Sequence, residues 1–192
     1  MGREFELKYS ATPEKLEVIR KEWENWTVIS METTYFDTLE NTLSKQKCTL
    51  RQRMENGNAV CTLKTPAAGF ARGEWEEKDI WSRETVSKLF DAAGREKIPF
   101  EELTPVCGAR FTRWAKILEL SDCTVEIALD EGVLLGGGKE IPLCEMEVER
   151  KSGREESAAQ WAQQLAAQYG LLPEMESKFR RASALAKGEG HE

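Results

Sequence analysis

Charged residues recur at every second position in segment after segment of this 192-residue chain. Successive side chains of a β-strand point to opposite faces, so this spacing gathers the charges on one face and the apolar residues on the other. Glu4, Glu6 and Lys8 share one face of a first strand, against Phe5 and Leu7. Arg51 and Arg53 share a face, and Thr62 and Lys64 stand opposite Cys61 and Leu63. Arg72, Glu74, Glu76 and Lys78 lie together against Trp75. Glu126 and Asp130 oppose Ile127 and Leu129, and Glu145, Glu147 and Glu149 oppose Met146 and Val148. On one strand, such alternation describes an antiparallel sheet with a solvated face. Repeated on many strands, with arginine and lysine beside glutamate, it also fits a closed sheet with the charged face inside. An interior lined by both signs is costly unless ions or a ligand compensate it.

The segments between the strands place the chain among α+β folds. Residues 12–24 read as a helix with Thr12 as N-cap and Pro13 in its first turn. Residues 83–93 and 154–168 read as helices closed by Gly94 and Gly170, and 174–187 as a last helix after Pro173. Strands are expected at 3–9, 27–38, 47–55, 59–65, 72–80, 106–119, 123–130 and 142–151. Asn56-Gly57-Asn58 marks a hairpin, and Gly136-Gly137-Gly138 a turn. The strands follow one another mostly without helical crossovers. That argues an antiparallel sheet or closed barrel and against a doubly wound parallel sheet. One domain is expected over 1–187, with 188–192 a frayed tail.

Composition narrows the chemistry. Acids outnumber bases 34 to 27, a net charge of −7, which disfavours a general nucleic-acid binder but leaves ample cations for a local pocket. There is no apolar run of transmembrane length and no apolar leader at Met1, so neither a membrane span nor a signal peptide is expected. Five cysteines without a C-x-x-C pair read as reduced thiols in a cytoplasmic protein. The single histidine is His191, next to the end, which removes Ser-His-Asp, Cys-His and histidine-rich zinc chemistry. Catalysis would fall to carboxylates, lysines, arginines and metal ions. Glu-x-Glu on two strands offers hard oxygen ligands for Mg²⁺ or Mn²⁺. Arginine and lysine on the other strands offer donors for phosphate oxygens. Together they describe a site for a metal-chelated polyphosphate. The six tryptophans show no stripe and read as core and rim packing.

Glu4-Phe-Glu-Leu-Lys8, an E-x-E-x-K sequence, resembles the signature of the CYTH superfamily, the triphosphate tunnel metalloenzymes. Tyr35-Phe-Asp-Thr38, Leu50-Arg-Gln-Arg53, Thr62-Leu-Lys64 and Arg72-Gly-Glu-Trp-Glu76 resemble its following strands, in family order. Phe111-Thr-Arg113, Glu126-Ile-Ala-Leu-Asp130-Glu-Gly132, Cys144-Glu-Met-Glu-Val-Glu149 and Ser177-Lys178-Phe179 resemble the remainder. The resemblance implies an eight-stranded antiparallel β-barrel forming a triphosphate tunnel, with flanking and C-terminal helices. It implies metal binding by Glu4, Glu6, Glu145 and Glu147, and phosphate binding by Lys8, Arg51, Arg53, Lys64, Arg113 and Lys178. Lys8, Glu76 and Asp130 are the catalytic candidates, and Glu74, Glu126, Glu149 and Arg72 the supporting ones. Arg110 ranks below Arg113 because it lies on the opposite face. The implied activity is Mg²⁺- or Mn²⁺-dependent hydrolysis of inorganic triphosphate by a monomer or homodimer, without nucleic-acid or membrane partners. Thiamine triphosphate hydrolysis, class IV-type adenylate cyclisation and non-catalytic binding of polyphosphate or nucleotide stay open.

Overall fold

The computed structural model describes residues 2–66 and 72–189. The chain starts with strands β1 (Gly2–Glu4) and β2 (Glu6–Ser10), helix α1 (Pro13–Arg20), strand β3 (Thr27–Asp37) and the short helix α2 (Thr42–Lys45). Strands β4 (Thr49–Glu55), β5 (Asn58–Pro66) and β6 (Arg72–Glu77) follow, then helix α3 (Arg83–Ala93) and a 3₁₀ turn at Phe100–Glu102. Three long strands come next, β7 (Thr104–Glu119), β8 (Cys123–Gly136) and β9 (Lys139–Gly153). The chain ends with α4 (Glu155–Tyr169), β10 (Leu172–Pro173) and α5 (Lys178–Lys187).

All strand pairings among the described residues are antiparallel, in the order β1-β6-β5-β4-β3-β7-β8-β9-β2-β10. This is an open ladder of ten strands, which corrects the expected closed eight-stranded barrel. The break falls at Phe5. Residues 2–4 pair with β6, residues 6–10 pair with β9, and β10 takes the other edge of β2. Phe5 alone therefore joins β1, at one end of the ladder, to β2, the strand next to the other end. The sheet thus curls round a hollow without an unbroken ring of hydrogen bonds.

The parity of the sequence decides which face looks inward. Val125, Ile127, Leu129, Met146 and Val148 lie outside, buried under Leu16 and Ile19 of α1 and Ala158, Ala162 and Leu165 of α4. Leu50, Cys61 and Leu63 lie under Val86, Leu89 and Phe90 of α3. The charged positions between them consequently face the hollow. Helix α5 is the exception, because Ala182 joins the cluster of Met31, Ala109, Phe111, Leu134 and Leu143. Those residues share the parity of Arg113, Asp130 and Glu145, so α5 plugs one end of the hollow from within. Gly136 admits it, since a Cβ there would lie 2.4 Å from the Ala182 carbonyl oxygen and 2.7 Å from the Ala186 nitrogen. Gly136→Ala is expected to lower stability by roughly 1–3 kcal/mol through this overpacking. A thermal melt checks it, and an unchanged melting temperature would show that α5 docks elsewhere.

Local physics corrects several boundaries. Helix α1 stops at Arg20 instead of 24, where the Trp26 indole N–H donates to the Arg20 and Trp23 carbonyls at 2.9 and 3.0 Å. Strands β8 and β9 run beyond 130 and begin before 142, because Gly137 and Gly138 (φ 58° and 74°) close a two-residue hairpin between Gly136 and Lys139. Helix α5 starts at Lys178, not 174, since Ser177 is its cap and accepts from the Arg180 N–H at 3.1 Å. Helix α2 was not expected. It is held by Asp37, whose carboxylate accepts from the backbone N–H groups of Thr38, Leu43 and Ser44 at 2.8–3.0 Å. None of the five cysteines forms a disulfide. The 188–192 tail is described only to Glu189.

Candidate active site

The hollow encloses about 980 Å³ and is lined from β1 to β9, α3 and the start of α5. One wall is cationic. Arg51 and Arg53 project from β4 and Arg113 from β7, while Lys8 projects from β2 on the same face as Glu6. Arg53 is almost fully buried, and its Nε donates to Thr33 Oγ1 at 2.8 Å. Its guanidinium is pushed down to about 10 by burial and then by the neighbouring charges of Arg51 and Arg113. The Arg51 Nε is buried without a hydrogen-bond partner. Lys8 makes no ion pair within 4 Å among the described residues. Crowded like charges and an unused buried donor favour an anion between them.

The facing wall is acidic. Glu6 on β2 sits opposite Glu149 on β9, and one carboxylate oxygen each of Glu4, Glu6 and Glu149 lies within 4.8 Å of the others. The Lys64 ammonium donates to both oxygens of Glu4 at 2.9 and 2.8 Å and stands 3.6 Å from Glu74. Lys151 pairs with Glu149 at 3.1 Å and Glu126 at 3.7 Å. Burial, then the charges of Glu147 and Glu4, push the Glu6 carboxyl up to about 8 despite Lys64 and Lys8. Three crowded hard-oxygen donors, of which Glu4 and Glu149 each carry a lysine, fit a Mg²⁺ or Mn²⁺ ion.

Behind these walls lies a buried ionic cluster. Arg113 makes a bidentate pair with Asp130, both bonds 2.7 Å, and reaches Glu147 at 2.5 Å. Lys178 bonds Glu145 and Glu147 and lies 2.8 Å from Asp130. Arg181 Nη2 donates to the second oxygen of Glu145 at 2.5 Å. Asp130 and Glu145 are fully buried. Burial alone would raise the Asp130 and Glu147 carboxyls, but Arg113 and Lys178 outweigh it and hold both below the usual carboxylate range. Burial likewise disfavours the Lys178 ammonium, yet Asp130, Glu147 and Glu145 hold its proton more tightly than usual. The cluster carries three acids and three bases and is satisfied as it stands.

Residues 2–183 match the CYTH domain. The chain belongs to the CYTH family. It is 27% identical over 198 residues to the inorganic triphosphatase of Haemophilus influenzae, an alignment covering 96% of this chain and 55% of that protein. The chain thus spans about half the length of the curated relative it matches. Among solved structures it resembles a Hippeastrum adenylyl cyclase homologue described as having a dominant triphosphatase activity, with TM-score 0.68 and 16% identity over 100% of this chain and 98% of the other. It also resembles a Pyrococcus horikoshii protein, with TM-score 0.65 and 23% identity over 96% and 99%. At these identities the structural likeness establishes the fold alone.

Within this CYTH fold, the expected site residues divide. Lys8, Arg51, Arg53, Lys64, Arg113 and Lys178 all line the one cavity, as do Glu4, Glu6, Glu74, Glu76, Glu126, Glu147 and Glu149. The four expected metal ligands do not meet in one group. Glu4 and Glu6 join Glu149, whereas Glu145 and Glu147 join Asp130. The reason is α5, whose Lys178 and Arg181 draw Glu145 and Glu147 away. Asp130 stands behind the wall, tied to Arg113. Arg110 points outward, half exposed, and pairs with Glu140 at 3.0 Å. Arg72 pairs through its backbone with Glu4 and Pro66, and its side chain lies outside the described residues. Two participants escaped the motif reading. Lys151 continues the period-two series one step beyond Glu149, and Arg181 stands one turn after Lys178 on α5. Among the described residues no helix is long and apolar enough to cross a membrane.

Proposed function

We propose that the cavity binds inorganic triphosphate and hydrolyses its terminal phosphoanhydride with a divalent cation. The observation that carries this reading is the pair of opposed walls. Arg53, and Arg51 with its buried unused Nε, share one cavity with three carboxylates that lie within 4.8 Å of one another. A simple anion trap has no use for the carboxylates, and a simple cation site has no use for the arginines. The 27% identity to an inorganic triphosphatase selects the unsubstituted triphosphate as the first substrate to test.

In this reading Arg51, Arg53 and Lys8 hold the phosphate oxygens, with Arg113 behind them. Their positive charge offsets the charge that develops on phosphoryl oxygens in the transition state. Glu4, Glu6 and Glu149 would hold the cation, which supplies Lewis acidity and charge neutralisation at those oxygens. A water oxygen bonds to the terminal phosphorus, the bridging P–O bond breaks, and pyrophosphate leaves. Glu76 lines the cavity on β6 without an ion pair among the described residues, and we assign it as the carboxylate that accepts the water proton. Asp130 is committed to Arg113 and orients that guanidinium.

The test is phosphate release from inorganic triphosphate, thiamine triphosphate and ATP, each with Mg²⁺, Mn²⁺ or chelator, with cyclic AMP assayed in the ATP reactions. Metal-dependent cleavage, fastest on inorganic triphosphate, is expected. Preference for thiamine triphosphate, or cyclic AMP formation, would overturn the substrate assignment. Thermal stabilisation by triphosphate without turnover would leave a binding module. Neither turnover nor stabilisation would reduce the charged hollow to a solvated cavity.

A further inference from the structure

Adjacent arginines on α5 have different fates. Arg180 is largely exposed and pairs with Glu176 at 3.3 Å within its own segment. Arg181 is turned inward, with only 14% of its side chain exposed. Its Nη2 donates to Glu145 Oε2 at 2.5 Å, its Nε donates to the Ser177 carbonyl at 3.4 Å, and its Nη1 stands 3.8 Å from Glu174. Neither Arg181 nor Glu145 lines the cavity. The other oxygen of Glu145 takes the Lys178 ammonium, which also serves Glu147 and Asp130.

From these contacts we infer that Arg181 is a positioning residue, which neutralises Glu145 from behind and so keeps the Lys178 ammonium turned toward Glu147 at the cavity wall. The charge arithmetic gives the direction. The three buried acids Asp130, Glu145 and Glu147 face Arg113, Lys178 and Arg181, a balance of zero, with the more exposed Glu174 outside it at 3.8 Å from Arg181. Without Arg181 the cluster carries a net −1. Glu145 then has one buried oxygen without a partner and competes more strongly with Glu147 and Asp130 for Lys178. The ammonium is drawn back from Glu147, and the wall behind the arginines becomes more negative toward any anion in the cavity. The inference rests on the proposed triphosphate site and adds a residue that touches no ligand.

The test uses the full chain and sodium tripolyphosphate in chelator, with dissociation constants measured by calorimetry. Arg181→Met is expected to weaken binding about tenfold or more. Glu145→Gln alone leaves the cluster at +1 and is expected to bind as tightly as wild type or tighter. The double variant returns the cluster to zero and is expected within threefold of wild type. A loss of packing at Arg181 would not be repaired by removing a charge at Glu145, so this rescue separates positioning from bulk structure. Wild-type affinity in Arg181→Met overturns the inference, and so does a weakened single variant that Glu145→Gln fails to restore. If Arg181→Met does not fold, the double variant decides alone, and a tenfold loss in it is fatal. A wild-type chain that binds tripolyphosphate neither in chelator nor with Mg²⁺ brings down the proposed function itself. Binding by wild type without the charge-dependent pattern brings down only the role of Arg181.

Discussion

Lys8→Ala is expected to lower kcat/KM for inorganic triphosphate roughly a hundred- to a thousandfold, the usual cost of losing one preorganised charge from a site where negative charge develops. The fold should survive it. Lys8 holds no carboxylate within 4 Å among the described residues. Across the ladder it faces Glu147, which already has Lys178 and Arg113. Its removal therefore strands no buried acid, and the melting temperature is expected to stay within about 3 °C of wild type. Arg53→Ala would be a less clean probe, because Arg53 is buried and bonded to Thr33. The measurement is a phosphate-release assay at saturating and limiting triphosphate, beside a thermal melt. Near wild-type turnover in Lys8→Ala would mean that the phosphate chain is not held beside β2, and the cationic wall would need another explanation.

The sequence carried the face of nearly every site residue because strand parity is a local rule. Glu4, Glu6 and Lys8 alternate with Phe5 and Leu7, and no long-range information is needed to know that they share a face. What parity cannot supply is distance along the strand. Glu149 follows Glu145 and Glu147 at the same parity, so all three look equivalent in sequence. The register between β2 and β9 separates them, placing Glu149 opposite Glu6, and Glu145 opposite Ser10. The open ladder was hidden for a similar reason, since nothing in Arg3-Glu-Phe-Glu6 announces that one segment changes partner at Phe5. Helix α5 was legible as a helix but not as a plug. Its inward face is read only once Gly136, Phe111 and Leu134 are seen to make room for Ala182. Lys178, expected among the phosphate-binding residues, is then a buried ion paired with Asp130, Glu145 and Glu147.

Lys178→Met is expected to be the most destabilising substitution in the site, by about 3–5 kcal/mol, because it leaves buried carboxylates uncompensated. At roughly 2–4 °C per kcal/mol for a chain of this size, the melting temperature should fall by about 6–20 °C. The pH dependence identifies the cause. In the wild type, Asp130 and Glu147 are held below the usual carboxylate range by Arg113 and Lys178. Their contribution is therefore fully present above the unfolded-state pKa, about 4, and is lost as pH falls through the lower folded-state values. In the variant three carboxylates face Arg113 and Arg181 alone. Burial and mutual repulsion then raise one of them above its unfolded value, and the sign of the linkage reverses for that group. Stability lost at pH 7 should be partly recovered on going to about pH 5, beyond the gain that Glu6, raised to about 8, gives wild type and variant alike. Thermal melts of both proteins across that range decide the point. A loss that is large but independent of pH would show that Lys178 stabilises the fold through the packing of its stem against Phe111, over whose ring its ammonium lies at 5.1 Å, and not through the buried charges.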